Sequence, residues 1–476
     1  MALKNLNELT IKELNKALIA KEISSQDIVK DCLKKIKKTA DLNSFVTILE
    51  KESIAQSKLI DKKIKNKEKI SLLSGIPCAI KDNILLKGVK CTNGSKILEN
   101  YVAPYDATVI SKLNDKGSVF LGKTNMDEFA MGSSTETSAF GPTRNPRNKE
   151  KVPGGSSGGS AATVASNQAI FALGSDTGGS VRQPAALCGI VGFKPTYGRV
   201  SRYGLSAMAS SFDQVSWFTK TVEDSAILLS ELEGFDKQDS TSVKMEEKNY
   251  LNEIKKDLKG VRVGVSPDFF VAGMDEEVKK AVLSAIDKLK KLGAEIVEVN
   301  LPLIKYALAV YYILMPCEVS SNLARNDSVR YGLNVEGKDL LETYLETRAK
   351  GFGDEVKRRI MLGTFALSSG YYDAYYNKAQ KVRAKILQDF TEAFDKIDCL
   401  ATPTTPTVAF NLGEKTSDPM TMYLEDIYTV PANVAGLPGI SIPCGEVNGL
   451  PCGLQLIGNQ FCEHKILRVA NNYEVN

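Results

Sequence analysis

Apolar positions along this chain alternate between short dense runs suited to strands and wider three-to-four spaced stripes suited to helices. Near the start, Thr10-Ile11-Lys12-Glu13 has capping-box spacing ahead of Leu14, Leu18 and Ile19. Ser24 or Ser25 can cap a second stripe at Ile28, Val29, Cys32, Leu33 and Ile36. Two amphipathic helices are therefore predicted, followed by a strand over Ser44 to Leu49. Short apolar runs before Lys81, at Val119 to Gly122 and at Gly189 to Phe193 read as buried strands, and Thr221 can start a helix through Ala226 to Leu229. Val261 to Val265, a stripe at Val278, Val282, Ile286 and Leu289, and Ala294 to Val299 form a β-α-β pattern. Tyr306 to Phe394 reads as mostly helical, with Tyr371, Tyr372, Tyr375 and Tyr376 expected to pack between helices. The last strands are Cys399 to Thr402 and a hairpin, Gly439 to Pro443 and Cys452 to Gly458, turning at Asn448-Gly449.

These elements predict an α/β protein with a mixed, mostly parallel central sheet covered on both faces by helices. The organisation expected is one domain, with a helical segment over about 1–50 and a core over about 70–235. A β-α-β and helical lobe follows over about 260–395, then C-terminal strands over about 398–460. The polar, lysine-rich stretch 236–259 marks the end of the first large lobe. No internal repeat interrupts this pattern.

Composition narrows the function by exclusion. A net charge of +4 is too small to argue nucleic-acid binding by the chain alone, and the lysines at 58, 62, 63, 65, 67 and 69 read as a solvated helix face. The first residues lack an apolar signal core and no run is long enough to span a bilayer, so a cytoplasmic protein is expected. Nine cysteines without a C-x-x-C pair, beside one histidine, read as reduced, mostly buried thiols rather than a zinc cluster; Cys78 is expected to pack. No metal or cofactor is expected on this chain.

Candidate chemistry concentrates between Val152 and Ala185. Two glycine and serine runs, Gly154 to Ser160 and Asp176 to Ser180, flank an apolar segment long enough for a short helix and a buried strand. The runs can thus meet at one end of a sheet, placing serine hydroxyls among glycines whose bare N–H groups can hold a developing negative charge. A phosphate cradle lacks its lysine here. A hydrolase elbow, Gly154-Gly155-Ser156-Ser157-Gly158, would need His464 as its base, and that residue sits in a polar stretch reading as an exposed helix. Lys81, ending an apolar strand before Asp82-Asn83, is the better base, because partial desolvation favours the neutral amine.

Gly-Gly-Ser-Ser-Gly-Gly at 154–159, the Asp-x-Gly-x-Ser-x-Arg-x-Pro pattern ending at Pro184, and the lysine at 81 resemble the amidase signature family. The resemblance implies that Ser180 is the nucleophile, Ser156 a bridging serine with a cis peptide bond, and Lys81 the base. It also implies an oxyanion hole of N–H groups from Thr177, Gly178, Gly179 and Ser180. The stretches 193–204, 355–364 and 371–376 are similar to the glutaminase branch of the tRNA-dependent amidotransferases. That likeness implies a glutaminase whose ammonia converts Glu-tRNA(Gln), and in some members Asp-tRNA(Asn). Its implied partners are a B subunit that binds tRNA and uses ATP with magnesium, and a small C subunit, in a heterotrimer. For glutamine it implies Arg359 at the α-carboxylate and Asp426 at the α-ammonium, with Tyr311 nearby. The alternatives are a free-standing small-amide amidase and a non-catalytic scaffold subunit. Val215-Ser216-Trp217-Phe218 departs from the branch, where Gly-Pro is expected, and puts the local loop shape in question.

Overall fold

The structure, a computed structural model, describes residues 5–246, 248–270, 273–327 and 329–476. Eleven strands form one sheet: β1 Phe45–Ile48, β2 Pro77–Lys81, β3 Val119–Thr124, β4 Phe171–Asp176, β5 Val191–Lys194, β6 Gln214–Thr219, β7 Arg262–Val265, β8 Glu295–Glu298, β9 Cys399–Pro403, β10 Gly439–Val447 and β11 Leu450–Gly458. Their order across the sheet is β1-β3-β2-β4-β6-β5-β10-β11-β9-β7-β8. The mixed sheet agrees with the sequence reading, but its parallel majority does not. Only β2 with β3 and β4, and β7 with β8 and β9, run parallel, whereas the other six neighbouring pairs are antiparallel. The β-α-β signals lie in those two parallel patches. The centre between them is built from hairpins and distant returns, which local periodicity does not orient.

Both faces of the sheet are covered. Along β9, Cys399 and Ala401 enter one apolar cluster while Leu400 enters the other, the period-two signature of a strand buried on two sides. One cluster draws on the helices Ser25–Lys38, Val222–Leu232 and Glu463–Val475; the other draws on Ala307–Leu323, Asp354–Leu367 and Lys378–Phe394. The predicted caps form: Thr10 and Ser24 each accept the N–H three residues on, and Glu13 and Asp27 return the bond. Lysines 58, 62, 63, 65, 67 and 69 are exposed, and the nine cysteines are free, seven of them buried.

Two readings are corrected. Val215–Phe218 is no loop but most of β6, with the indole of Trp217 fully buried and stacked on Phe193 at 5.1 Å. Tyr371, Tyr372 and Tyr375 do not enter the core. They stand exposed at a π-helical turn, Asp373–Asn377, and pair with Phe365, Tyr376 and one another. No helix among the described residues is long and apolar enough to cross a membrane.

Candidate active site

Because β2 and β4 are parallel neighbours, with Ile80 opposite Leu173, their carboxyl ends open at the same edge. That edge is where α/β sheets place ligands. Lys81 ends β2 and Asp176 ends β4. The glycine-serine run crosses between them and starts the helix Gly158–Ala165. The Gly155–Ser156 peptide is cis. A side chain at Gly155 would place its Cβ 2.0 Å from Asp127 Oδ2, so only glycine lets the run pass there.

Lys81 is fully buried, and its Nζ lies 2.8 Å from Ser156 Oγ, 2.7 Å from Ser157 Oγ and 2.9 Å from Ser175 Oγ. Burial pulls its pKa down to about 7, against the opposing charges of Asp127, Asp176 and Asp213. The hydroxyls around it are not equivalent. Ser157 donates its proton to the Ser175 carbonyl at 3.1 Å, and Ser175 Oγ already accepts from Asn83 Nδ2 at 2.9 Å. Among the described residues, the Ser156 hydroxyl bonds to Lys81 alone. Sequence reasoning missed Ser157, Ser175 and Asn83, although all lie in or beside the motifs it singled out.

Ser180 sits on the loop after β4 and is 8% exposed, while Lys81 and Ser156 are at 0%. Of the three, it is the one a substrate can reach. Its carbonyl accepts the Ser157 N–H at 3.2 Å, which clamps the two serine loops together. No hydrogen bond joins the Ser156 and Ser180 hydroxyls in this state. Asp176 organises the Ser180 loop. It accepts from the N–H groups of Gly179 (3.0 Å) and Val181 (3.2 Å) and pairs with fully buried Arg182 at 2.9 Å. Burial would raise the Asp176 carboxyl, yet the Arg182 guanidinium holds it at about 2. Gly179 N–H, one of the four expected to face an oxyanion, is thus engaged by Asp176 in this state. A side chain at Gly179, where φ is +136°, would strike Thr429 Oγ1 at 2.0 Å.

Arg359 and Asp426 both border Tyr312, in a second part of the site. Arg359 is 3% exposed, donates to Glu355 at 2.7 Å, and lies over the rings of Tyr312 and Tyr423 at 5.5 and 5.3 Å. Its neighbour Arg358 is the solvated one. Asp426 accepts from Ser133 Oγ at 2.8 Å and from the Tyr312 hydroxyl at 3.3 Å; burial raises it to about 7 despite the Ser133 bond and the nearby Arg359. Arg359 and Ser133 line a cavity of about 310 Å³ together with Glu355, Arg358, Lys415 and Tyr423. Tyr311 stands between this part and the nucleophile loop: its ring packs edge-on against Tyr312 at 5.1 Å and abuts Gly178, where an added Cβ would meet it at 2.8 Å. Tyr312, which the sequence did not distinguish from Tyr311, is the tyrosine that reaches Asp426.

His464 belongs to neither part. It is half-buried rather than exposed, beside Lys248 Nζ at 3.2 Å, and among the described residues it bonds to no serine; burial lowers it to about 4. Cys78 is fully buried and its thiol is pushed up by desolvation.

A family model described as Amidase matches residues 27–467. The chain is 56% identical over 472 residues to the A subunit of glutamyl-tRNA(Gln) amidotransferase from Thermoanaerobacter pseudethanolicus, covering 98% of this chain and 96% of that relative. It is 55% identical over 466 residues to the protein of the same name from Persephonella marina, with 98% and 96% covered. Its fold is similar to the crystal structure of the A subunit of glutamyl-tRNA(Gln) amidotransferase from Thermotoga maritima, with TM-score 0.83, 44% identity, and 100% and 96% of the chains covered. It is also similar to the native peptide amidase from Stenotrophomonas maltophilia, with TM-score 0.84, 28% identity, and 98% and 96% covered.

Proposed function

The chain belongs to the Amidase family, and from that premise we propose that it is the glutamine-hydrolysing component, the A subunit, of a tRNA-dependent amidotransferase. Neutral Lys81 takes the Ser156 proton and Ser156 takes that of Ser180, as substrate binding closes the gap between the two hydroxyls. Ser180 Oγ then attacks the side-chain carbonyl carbon of glutamine. The developing oxyanion is held by the N–H groups of Thr177, Gly178 and Ser180. The C–N bond breaks, the same relay returns a proton to the nitrogen, and ammonia leaves. Water hydrolyses the ester to release glutamate and free Ser180.

The observation that carries this reading is the pairing of a buried lysine, held at about 7 and 2.8 Å from Ser156, with a separate cavity lined by Arg359 and by Ser133, whose hydroxyl donates to Asp426. An arginine and a carboxylate there match the α-carboxylate and α-ammonium of an amino acid, which a simple amide lacks. The relatives carry the name of a glutamyl-tRNA(Gln) amidotransferase A subunit, which supports Glu-tRNA(Gln) as the destination of the ammonia within a multi-subunit enzyme. Asp-tRNA(Asn), a B subunit that consumes ATP with magnesium, and a C subunit completing the complex belong to the same proposal. Every residue named here serves the ammonia-releasing half of that reaction.

The test is ammonia release from glutamine by the chain alone and with its B and C partners, with Ser180→Ala as control. Release that requires Ser180 and rises with partners and acceptor tRNA is the expected result. Cleavage of other amides with glutamine untouched would move the chain to the free-standing amidases.

A further inference from the structure

The two recognition residues reach the site by different routes. Asp426 is tied directly to the nucleophile loop, because Thr429 donates to the Gly178 carbonyl at 2.7 Å and its N–H donates to the Asp426 carbonyl at 3.1 Å. Arg359 is tied less directly, through Glu355, which accepts from it at 2.7 Å and from the Tyr423 hydroxyl at 2.8 Å. It rides on the helix Asp354–Leu367, in the helical lobe, and that helix starts at Gly353 without a capping side chain of its own.

The missing cap comes from the catalytic side. Glu128 Oε2 accepts the Gly353 N–H at 2.8 Å, so a carboxylate distant in sequence occupies the helix N-terminus, where the backbone dipole favours negative charge. Glu128 is 2% exposed, its other oxygen accepts from Ser95 Oγ, and Ser95 Oγ also reaches the Gly351 carbonyl at 3.2 Å. Phe129 meets Phe352 edge-on at 5.6 Å, fastening the same two segments. At its other end the Glu128 loop belongs to the reaction centre. Asp127 N–H donates to the Ser156 carbonyl at 3.2 Å, Asp127 accepts from Thr135 N–H at 2.8 Å, and Ser133 holds Asp426.

We infer that Glu128 is a positioning residue for substrate recognition: it fixes the start of the Arg359 helix to the loop that braces Ser156, so that Arg359 stands at the correct distance from Ser180. This rests on the glutamine reading above. Glu128 touches neither substrate nor reacting atoms and acts through Arg359. Its loss therefore weakens glutamine binding and leaves the chemical step largely intact.

The experiment is a double-mutant cycle on the assembled enzyme, with kcat and KM for glutamine measured in Glu128→Ala, Arg359→Gln and the double variant. Removing the clamp is expected to raise KM about tenfold, the loss of one hydrogen bond to a charged group, with kcat within about threefold. Glu128→Gln, whose carbonyl still accepts from Gly353, is expected to restore most of the loss. The double variant is expected to match Arg359→Gln alone. Additive penalties, an unchanged KM in Glu128→Ala, or a fall in kcat as large as the rise in KM would each overturn the inference. If Glu128→Ala does not fold, Ser95→Ala supplies the same test, with a KM increase of about threefold expected and no increase contradicting it. An Arg359→Gln enzyme with unchanged glutamine KM would sink the glutamine reading itself, whereas a strong Arg359 effect with none at Glu128 sinks only this inference.

Discussion

The Lys81–Ser156 centre and the Arg359–Asp426 cavity solve opposite problems with opposite materials. The first is made from strand ends and one continuous glycine-serine stretch, fully buried, with the lysine's charge disfavoured by desolvation. The second is assembled from segments far apart in the chain, and it keeps a charge buried by surrounding Arg359 with Glu355 and two tyrosine rings. A base must be neutral to accept a proton, whereas a carboxylate receptor must stay cationic. The same degree of burial serves both because the partners differ: hydroxyls around the lysine, a carboxylate and aromatic faces around the arginine.

If the two regions are separable, substitutions in each should fail differently. The largest loss is expected from Lys81→Met, which removes the base: kcat for glutamine and for a simple aliphatic amide should both fall, by about a thousandfold or more. Amidase assays on both substrates check this, and a loss confined to glutamine would break the comparison. Next comes Arg359→Gln. It is expected to lower kcat/KM for glutamine by about thirtyfold or more, since a buried charged contact is lost, while changing the simple amide by less than about threefold.

The pH profile sharpens the distinction further. Lys81 works unprotonated, and burial holds it at about 7. Activity on a simple amide should therefore fall about tenfold per pH unit as pH drops below that value. Asp426 works ionised and is raised to about 7, so glutamine adds a second group that fails in the same direction. The acid limb of kcat/KM for glutamine should accordingly be steeper than that for the simple amide; equal slopes would assign both limbs to Lys81 alone. The smallest effect is expected at His464, where an alanine should leave kcat within about twofold because the imidazole contacts Lys248 and no serine.

The same division explains what could be read from the chain. The meeting of Lys81 with Ser156 and of the two serine loops was legible because glycines and hydroxyls recur at fixed local spacing, and β2 and β4 are short parallel neighbours that bring those spacings together. Ser175 and Ser157 were hidden in plain view, because a serine beside a catalytic motif carries no mark of which hydroxyl faces the lysine. The cavity is different. Ser133, Arg359 and Tyr423, with the Asp426 and Tyr312 they contact, are separated by up to hundreds of residues, and only the fold makes Arg359 buried while Arg358 is solvated. Strand order failed to be legible for a related reason. The central strands pair across long returns, and a departure such as Trp217 reads as a disturbed loop until Phe193 is seen beneath it.

The central claim is that Ser180 carries the acyl group, with Lys81 acting through Ser156. The most direct measurement is mass spectrometry of the acid-quenched enzyme during glutamine turnover, locating the γ-glutamyl adduct by peptide mapping. An ester on Ser180 is expected, absent in Ser180→Ala and strongly reduced in Lys81→Met. An adduct on Ser156 or on a cysteine, or steady ammonia release from Ser180→Ala, would contradict it.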